Sequence, residues 1–180
     1  AIVTLLGPGG IGKSRAVEEA IEPLLGAHSI VHINLADLMP DDGLSRRVSH
    51  AMGLSAGTDD PVGQVRSVLA MNPVIIVLDA FEHCVERAWE VAQWMTDDTQ
   101  GCVVLTSRIG VEIEGVVSIR LAPLGQDDAI AMLLERARRV RPDFGEHTDS
   151  SVLAQLVHHL DRIPLAIELA SALARLCDVR

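Results

Sequence analysis

The stretch GPGGIGKS at residues 7–14 decides how the rest of this sequence is interpreted. Gly7 is followed, after four residues, by Gly12, Lys13 and Ser14, which is the spacing of a phosphate-binding loop. Glycines allow the positive φ angles and the close backbone approach that wrapping an anion requires. A match of this kind arises by accident about once in a hundred chains of this length. The stretch therefore predicts a phosphate site.

The neighbours of this loop fit the same interpretation. The apolar run Ile2 to Leu6 predicts a strand before the loop, and a helical pattern follows it. Backbone N–H groups would then meet an anion at the positive end of a helix. Lys13, the only lysine beside fourteen arginines, would reach the β- and γ-phosphates, and the Ser14 hydroxyl would bind Mg²⁺. The alternative is a glycine turn that merely opens a helix.

Two further apolar runs end in residues suited to the same site. Val74 to Leu78 predicts a buried strand, and Asp79 follows it at the end where parallel sheets bind ligands, which makes this carboxylate the second predicted Mg²⁺ ligand. Its alternative role is in a turn or helix cap. Val103 to Thr106 predicts another strand, after which the Arg108 guanidinium could pair with γ-phosphate oxygens. A solvated arginine is the alternative there.

Short apolar runs alternate with helical patterns along the first two thirds of the chain, which predicts an α/β fold with a parallel sheet covered by helices. After Pro123 no strand pattern remains, and three amphipathic helices are predicted. The predicted division is an α/β core over residues 1–122 and a helical part over residues 123–180. The predicted strands are 2–6, 29–35, 74–78, 103–106 and 116–121. A first core helix is predicted after the loop, and Pro23 should kink or end this helix. The other predicted core helices are 44–52, 62–69 and 85–95. The apolar face of the last helix is predicted to carry Leu165, Leu169, Ala172, Leu173 and Leu176.

Composition excludes several classes of protein. A net charge of −10 and only four Phe and Trp residues argue against direct nucleic-acid binding. The longest strongly apolar run has five residues, against about 20 for a membrane span, and no targeting segment is visible, so a cytoplasmic protein is expected. Cys84, Cys102 and Cys177 lack the spacing of a metal site and are expected to be reduced. The start at Ala1 suggests a segment of a longer multidomain protein.

Taken together, these segments resemble the STAND class of signal-transduction NTPases. Within that class they are most similar to the NB-ARC-like nucleotide-binding domain of bacterial LuxR-type and AfsR-like transcriptional regulators. The segment DRIPLAIELA resembles the GLPLA motif of the family, with Arg162 and Ile163 where Gly and Leu are usual. The matching segments are 7–14, 74–83, 103–108, 121–137 and 161–170.

The resemblance implies a P-loop NTPase fold with a five-stranded sheet of order 5-1-4-3-2 and a C-terminal helical lid over the nucleotide. It also implies that ADP is bound at rest and ATP after a signal, and that other domains of the same polypeptide and self-association transmit the change. Pro164 would pack on the adenine. The segment before the first strand and the winged-helix domain of the family are missing from this sequence. The predicted nucleotide-binding residues are Gly7, Pro8, Gly9, Gly10, Ile11, Gly12, Lys13, Ser14, Arg15 and Pro164.

Hydrolysis is expected to be slow because Ala80 follows Asp79, where relatives carry Asn or Asp. Glu82 is the nearest other acid and is predicted to orient the attacking water. Its alternative role is to favour the dipole of a helix that starts near His83. The residues predicted to act in catalysis are Lys13, Asp79, Glu82 and Arg108. The competing functions are a small-molecule kinase and a module that holds ADP without turnover.

Overall fold

A computed structural model describes residues 1–38, 43–54, 59–146 and 148–175. Two compact units can be distinguished by their internal packing. The first comprises residues 1–7 and 13–120, and the second comprises residues 8–12 and the described residues from 121 onward. Leu176 and Cys177, for which the sequence predicts a place on the last helix and a reduced thiol, lie outside the described residues.

The first unit contains a parallel sheet in which five strands are described. Its order is β2-β3-β4-β1-β5, and every adjacent pair is parallel. Numbered from the other edge this is 5-1-4-3-2, so the predicted strand order is confirmed. The strands are β1 (Ile2–Leu6), β2 (Ser29–Asn34), β3 (Val74–Asp79), β4 (Cys102–Ser107) and β5 (Val116–Arg120).

The position of β3 inside the sheet explains why its sequence is apolar without alternation. It lies between β2 and β4, and Val74 to Leu78 are all buried because both faces of the sheet are covered. Ile76 and Leu78 belong to the larger core, whereas Ile75 and Val77 pack with Val17 on the other face. Because the strands are parallel, the carboxyl ends of β1, β3 and β4 lie along one edge, where the predicted site residues follow them.

Four α-helices are described in the first unit: α1 (Lys13–Ile21), α2 (Leu44–Ala51), α3 (Pro61–Met71) and α4 (Ala88–Trp94). Helix α1 ends at Ile21, and Pro23 lies in a following 3₁₀ turn, as predicted. The helix predicted over residues 85–95 is wrong in its first turn, because 3₁₀ turns at Phe81–His83 and Val85–Arg87 precede α4. Phe81 and Cys84 are both buried, and their spacing of three residues matches one turn of a 3₁₀ helix.

A buried polar network connects α2 with α4. The Glu90 carboxylate is only 4% exposed and accepts hydrogen bonds from the Ser45 backbone N–H (2.8 Å) and hydroxyl (2.6 Å). The same hydroxyl accepts a hydrogen bond from the Trp94 indole at 2.9 Å. Arg87 lies 3.2 Å from the other oxygen of Glu90. The Ser45 hydroxyl, the Trp94 indole and both Glu90 oxygens in this network therefore each have a polar partner.

The second unit contains the three predicted helices: α5 (Gln126–Arg138), α6 (Ser150–His159) and α7 (Pro164–Ala172). The apolar face predicted for α7 is wrong, because Leu165, Leu169 and Leu173 are 49%, 63% and 54% exposed. Ile167 and Ser171 are the buried residues of α7. The sequence of this helix is apolar nearly all round, so its spacing could not identify the buried face. Among the described residues, no helix combines the length and apolarity needed to cross a bilayer.

Candidate functional site

The Lys13 side chain folds back over the end of β1. Lys13 is the first residue of α1, is 9% exposed, and donates from Nζ to the Gly7 carbonyl at 2.9 Å. Gly7 is itself fixed, because its N–H donates to the Ser107 carbonyl at 3.2 Å. Burial lowers the pKa of Lys13, and the charges of Glu82 and then Asp79 oppose that shift while Arg108 adds to it. The amine thus lies in a partly desolvated position among three charged groups.

Three oxygen-bearing side chains meet beside it. The Ser14 hydroxyl donates to both carboxylate oxygens of Asp79, at 2.8 and 3.0 Å. Thr106, near the end of β4, donates a short hydrogen bond to the same carboxylate and accepts one from the Ala80 N–H at 3.0 Å. Sequence reasoning missed Thr106, although a hydroxyl residue at the end of an apolar strand was a usable signal.

This oxygen cluster fits a magnesium ion. Mg²⁺ prefers hard oxygen ligands and is usually held by one or two protein groups, with waters and substrate phosphates completing its shell. The Ser14 hydroxyl and the Asp79 carboxylate supply two such groups within hydrogen-bond distance of each other. No group of three or more His, Cys, Asp or Glu suited to a metal occurs among the described residues. The protein ligands alone are therefore too few for a structural metal site, but they suit an ion that arrives with phosphates.

Ala80 has a left-handed backbone, with φ 61° and ψ 44°. This conformation disfavours most side chains by roughly 1–2 kcal/mol, but Asn and Asp tolerate it. The resemblance stated above puts Asn or Asp at this position after Asp79, and either residue would fit the backbone found here. Alanine keeps the turn without supplying a polar group.

Glu82 and Arg108 are held together by two contacts. The Arg108 Nε lies 2.9 Å from Glu82 Oε1, and the Arg108 backbone N–H donates to Oε2 at 3.2 Å. The Glu82 side chain is 14% exposed, whereas the Arg108 side chain is 64% exposed. The sequence predicts separate roles for them, Glu82 with the attacking water and Arg108 with the γ-phosphate, whereas in the structure the two residues form an ion pair. Arg15, by contrast, has an exposed side chain that lies 3.4 Å from Glu19 on α1.

Within the second unit, residues 8–12 contact the start of α7. The Leu165 N–H donates to the Gly10 carbonyl at 3.2 Å. Gly10 has φ +75°, and a Cβ atom added to it would lie 2.7 Å from the Leu165 Cβ. Ile11 in the same segment is 6% exposed, while Pro8 and Gly9 are exposed. Leu165 was not selected as a site residue from the sequence, because its contact with the glycine depends on the fold.

The turn before α7 also has an unusual backbone. Pro164 is the first residue of the helix, where its fixed φ angle and missing N–H are tolerated. Asp161 and Arg162 precede it with φ angles of 51° and 54°. Arg162 occupies the position of the usual glycine in the GLPLA motif, and its positive φ explains why glycine suits that position.

Comparison with solved structures identifies the architecture. The chain superposes on the STAND protein with a tetratricopeptide repeat sensor from Pyrococcus horikoshii with a TM-score of 0.63 at 18% identity, over 93% of this chain and 26% of that one. For the Cdc6p protein of Pyrobaculum aerophilum the TM-score is 0.68 at 16% identity, over 97% of this chain and 55% of that one. The fold is that of the P-loop NTPases. At these identities the similarity establishes the fold alone, and the predicted fold class is confirmed.

Relatives of this chain by sequence occur in mycobacteria. The chain is 32% identical over 183 residues to an uncharacterized protein of Mycobacterium tuberculosis, covering 95% of this chain and 45% of that protein. It is 26% identical over 181 residues to a proposed HTH-type transcriptional regulator of the same species, covering 97% of this chain and 20% of that protein. The chain thus spans less than half the length of these relatives. No model of a known protein family matches it.

Proposed function

We propose that this chain is a Mg²⁺-dependent ATP- and ADP-binding domain that acts as a regulatory switch in a longer signalling or transcriptional regulator. The observation that carries the proposal is the arrangement of Lys13 on the Gly7 carbonyl beside Ser14 on Asp79. In this arrangement each group that would bind the phosphates or the metal has an internal polar partner. Nucleotide phosphates would replace the partner of Lys13.

Each residue then has a distinct part in binding. Lys13 would contact the β- and γ-phosphates, and the backbone N–H groups of residues 8–14 would wrap them. Ser14 and Asp79 would hold Mg²⁺, which neutralises phosphate charge when it is bound. Arg108 would contact the γ-phosphate, which is the group that distinguishes ATP from ADP. A difference in contacts of this kind is what allows a nucleotide to shift a conformational equilibrium.

The finer assignment is an NB-ARC-like domain of the LuxR-type or AfsR-like regulators. It is supported by the order of the five matching segments and by the similarity to a STAND protein and to a proposed transcriptional regulator. Under this assignment residues 123–180 form a lid, Pro164 packs on the adenine, and ATP promotes self-association. The protein would work in the cytoplasm, without direct contact between this segment and nucleic acid.

Slow turnover or none is the second element of the proposal. Ala80 supplies no polar group next to Asp79, and both oxygens of Glu82 are engaged by Arg108. These two observations favour a switch dominated by binding, including the alternative in which the domain holds ADP without hydrolysis. The small-molecule kinase alternative requires an acceptor pocket, and the GLPLA-like segment at Pro164 favours the switch over it.

The proposal is tested by measuring nucleotide affinity. Isothermal titration calorimetry with Mg²⁺–ATP and Mg²⁺–ADP should show binding to the wild type. Lys13→Ala should weaken both nucleotides by about 10- to 100-fold, the range expected when one or two charge-assisted hydrogen bonds are lost. Arg66→Ala, which removes an exposed cation from α3, is the matched control and should leave both affinities unchanged. Equal affinities for wild type and Lys13→Ala would refute the proposal.

A further inference from the structure

The position of the Glu82 carboxylate is fixed by the turn that carries it. The preceding residue, Phe81, is fully buried, and the Ala80 N–H is bonded to Thr106 on β4. The 3₁₀ turn at residues 81–83 is therefore attached to the same strand end from which Arg108 emerges. With the side chain of Glu82 only 14% exposed, its two oxygens are held toward Arg108.

The Glu82 carboxylate is paired with Arg108, the cation proposed to contact the γ-phosphate. Glu82 Oε1 meets the Arg108 guanidinium as a phosphate oxygen would, since carboxylates and phosphates both form charge-assisted hydrogen bonds with arginine.

We infer that Glu82 is a positioning residue that holds Arg108 while no γ-phosphate is present and thereby sets the relative affinity for ATP and ADP. The inference rests on the proposed function of the site. ATP brings a γ-phosphate that competes with Glu82 for Arg108, whereas ADP leaves the Glu82–Arg108 pair intact. Separating the pair therefore costs free energy when ATP binds but not when ADP binds. Because the Arg108 side chain is 64% exposed, water screens the pair and the competition is modest.

The direct test is Glu82→Gln. The glutamine oxygen can still accept the Arg108 backbone N–H, so the turn keeps that hydrogen bond while the side chain loses its charge. We expect the ratio of ATP affinity to ADP affinity to rise about two- to fivefold, the range set by partly exposed ion pairs. Glu86→Gln removes an equal charge from an exposed position four residues later and should leave the ratio unchanged. A merely structural role for Glu82 would weaken both nucleotides alike.

A double-mutant cycle identifies the partner. In an Arg108→Gln background, Glu82→Gln should no longer change the ratio, because the competition requires the guanidinium. Two results would overturn the inference. One is that Glu82→Gln alone leaves the ratio of ATP affinity to ADP affinity unchanged. The other is that Glu82→Gln raises this ratio as much in the Arg108→Gln background as in the wild type. Glu82→Asp keeps the charge, but its side chain is too short to make both contacts with Arg108, so it should also raise the affinity ratio. This variant replaces Glu82→Gln in the test if Glu82→Gln does not fold. Failure of the wild type to bind either nucleotide refutes the proposed function instead.

Discussion

Replacing Gly10 with alanine tests whether residues 8–12 really pack on α7. The substitution is expected to destabilise the folded state in two separate ways. A side chain at φ +75° disfavours the folded state by roughly 1–2 kcal/mol. The new methyl group would also lie 2.7 Å from the Leu165 Cβ, where ordinary contact begins near 3.4 Å. Overpacking of this kind destabilises by about 1–3 kcal/mol. The expected sum is a loss of about 2–5 kcal/mol in the free energy of unfolding.

Gly115 provides a matched control for the dihedral term. Its φ is +74°, and nothing lies within 4 Å of a Cβ added there. Gly115→Ala should therefore destabilise by the dihedral term alone, about 1–2 kcal/mol. Urea unfolding of nucleotide-free protein, followed by circular dichroism, measures both variants. In a Leu165→Gly background the effect of Gly10→Ala should fall to that of Gly115→Ala. Equal destabilisation by the two alanines in the wild-type background would show that the loop does not contact Leu165.

Three further expectations follow from single contacts. Ala80→Asp should accelerate single-turnover hydrolysis by placing a carboxylate next to Asp79, and if Glu82→Gln leaves the rate unchanged while Ala80→Asp raises it, Glu82 has no part in the chemistry. Ser45→Ala should lower the free energy of unfolding by about 1–3 kcal/mol, because the buried Trp94 indole and the Glu90 carboxylate each lose a hydrogen-bond partner. The exposed substitution Ser118→Ala is the control in the same urea titration. Burial raises the pKa of Cys84 from 9.0 to about 12, so its stabilising contribution is complete below pH 9.0 and is lost as the pH rises toward 12. Iodoacetamide at pH 8.5 should accordingly label the Cys84 peptide only after unfolding, as mass spectrometry would show.

The sheet could be predicted because its sequence signals are local. Five consecutive apolar residues at Val74 to Leu78, four of them β-branched, favour a strand covered on both sides, and the glycine loop indicates the strand before it and the helix after it. Such patterns depend on burial and backbone geometry within a few residues. The strand ends therefore agree with the predicted ranges to within one residue along the whole sheet.

The contacts between side chains could not be predicted in the same way. Glu82 and Arg108 were both identified from the sequence, but their pairing depends on the register that places Leu78 beside Leu105 at the ends of β3 and β4. The hydroxyl of Thr106 reaches Asp79 for the same reason. The buried face of α7 was missed because an apolar helix without a polar side gives no periodic signal, and its orientation is decided by packing.

The presence of one lysine beside fourteen arginines has a chemical consequence. Within these 180 residues the ε-amino group of Lys13 is unique. Acylation directed at lysine therefore modifies one side chain, and under the proposed function the attached group would take the place of the nucleotide phosphates. Such a modification would then label the chain and block nucleotide binding with the same covalent bond.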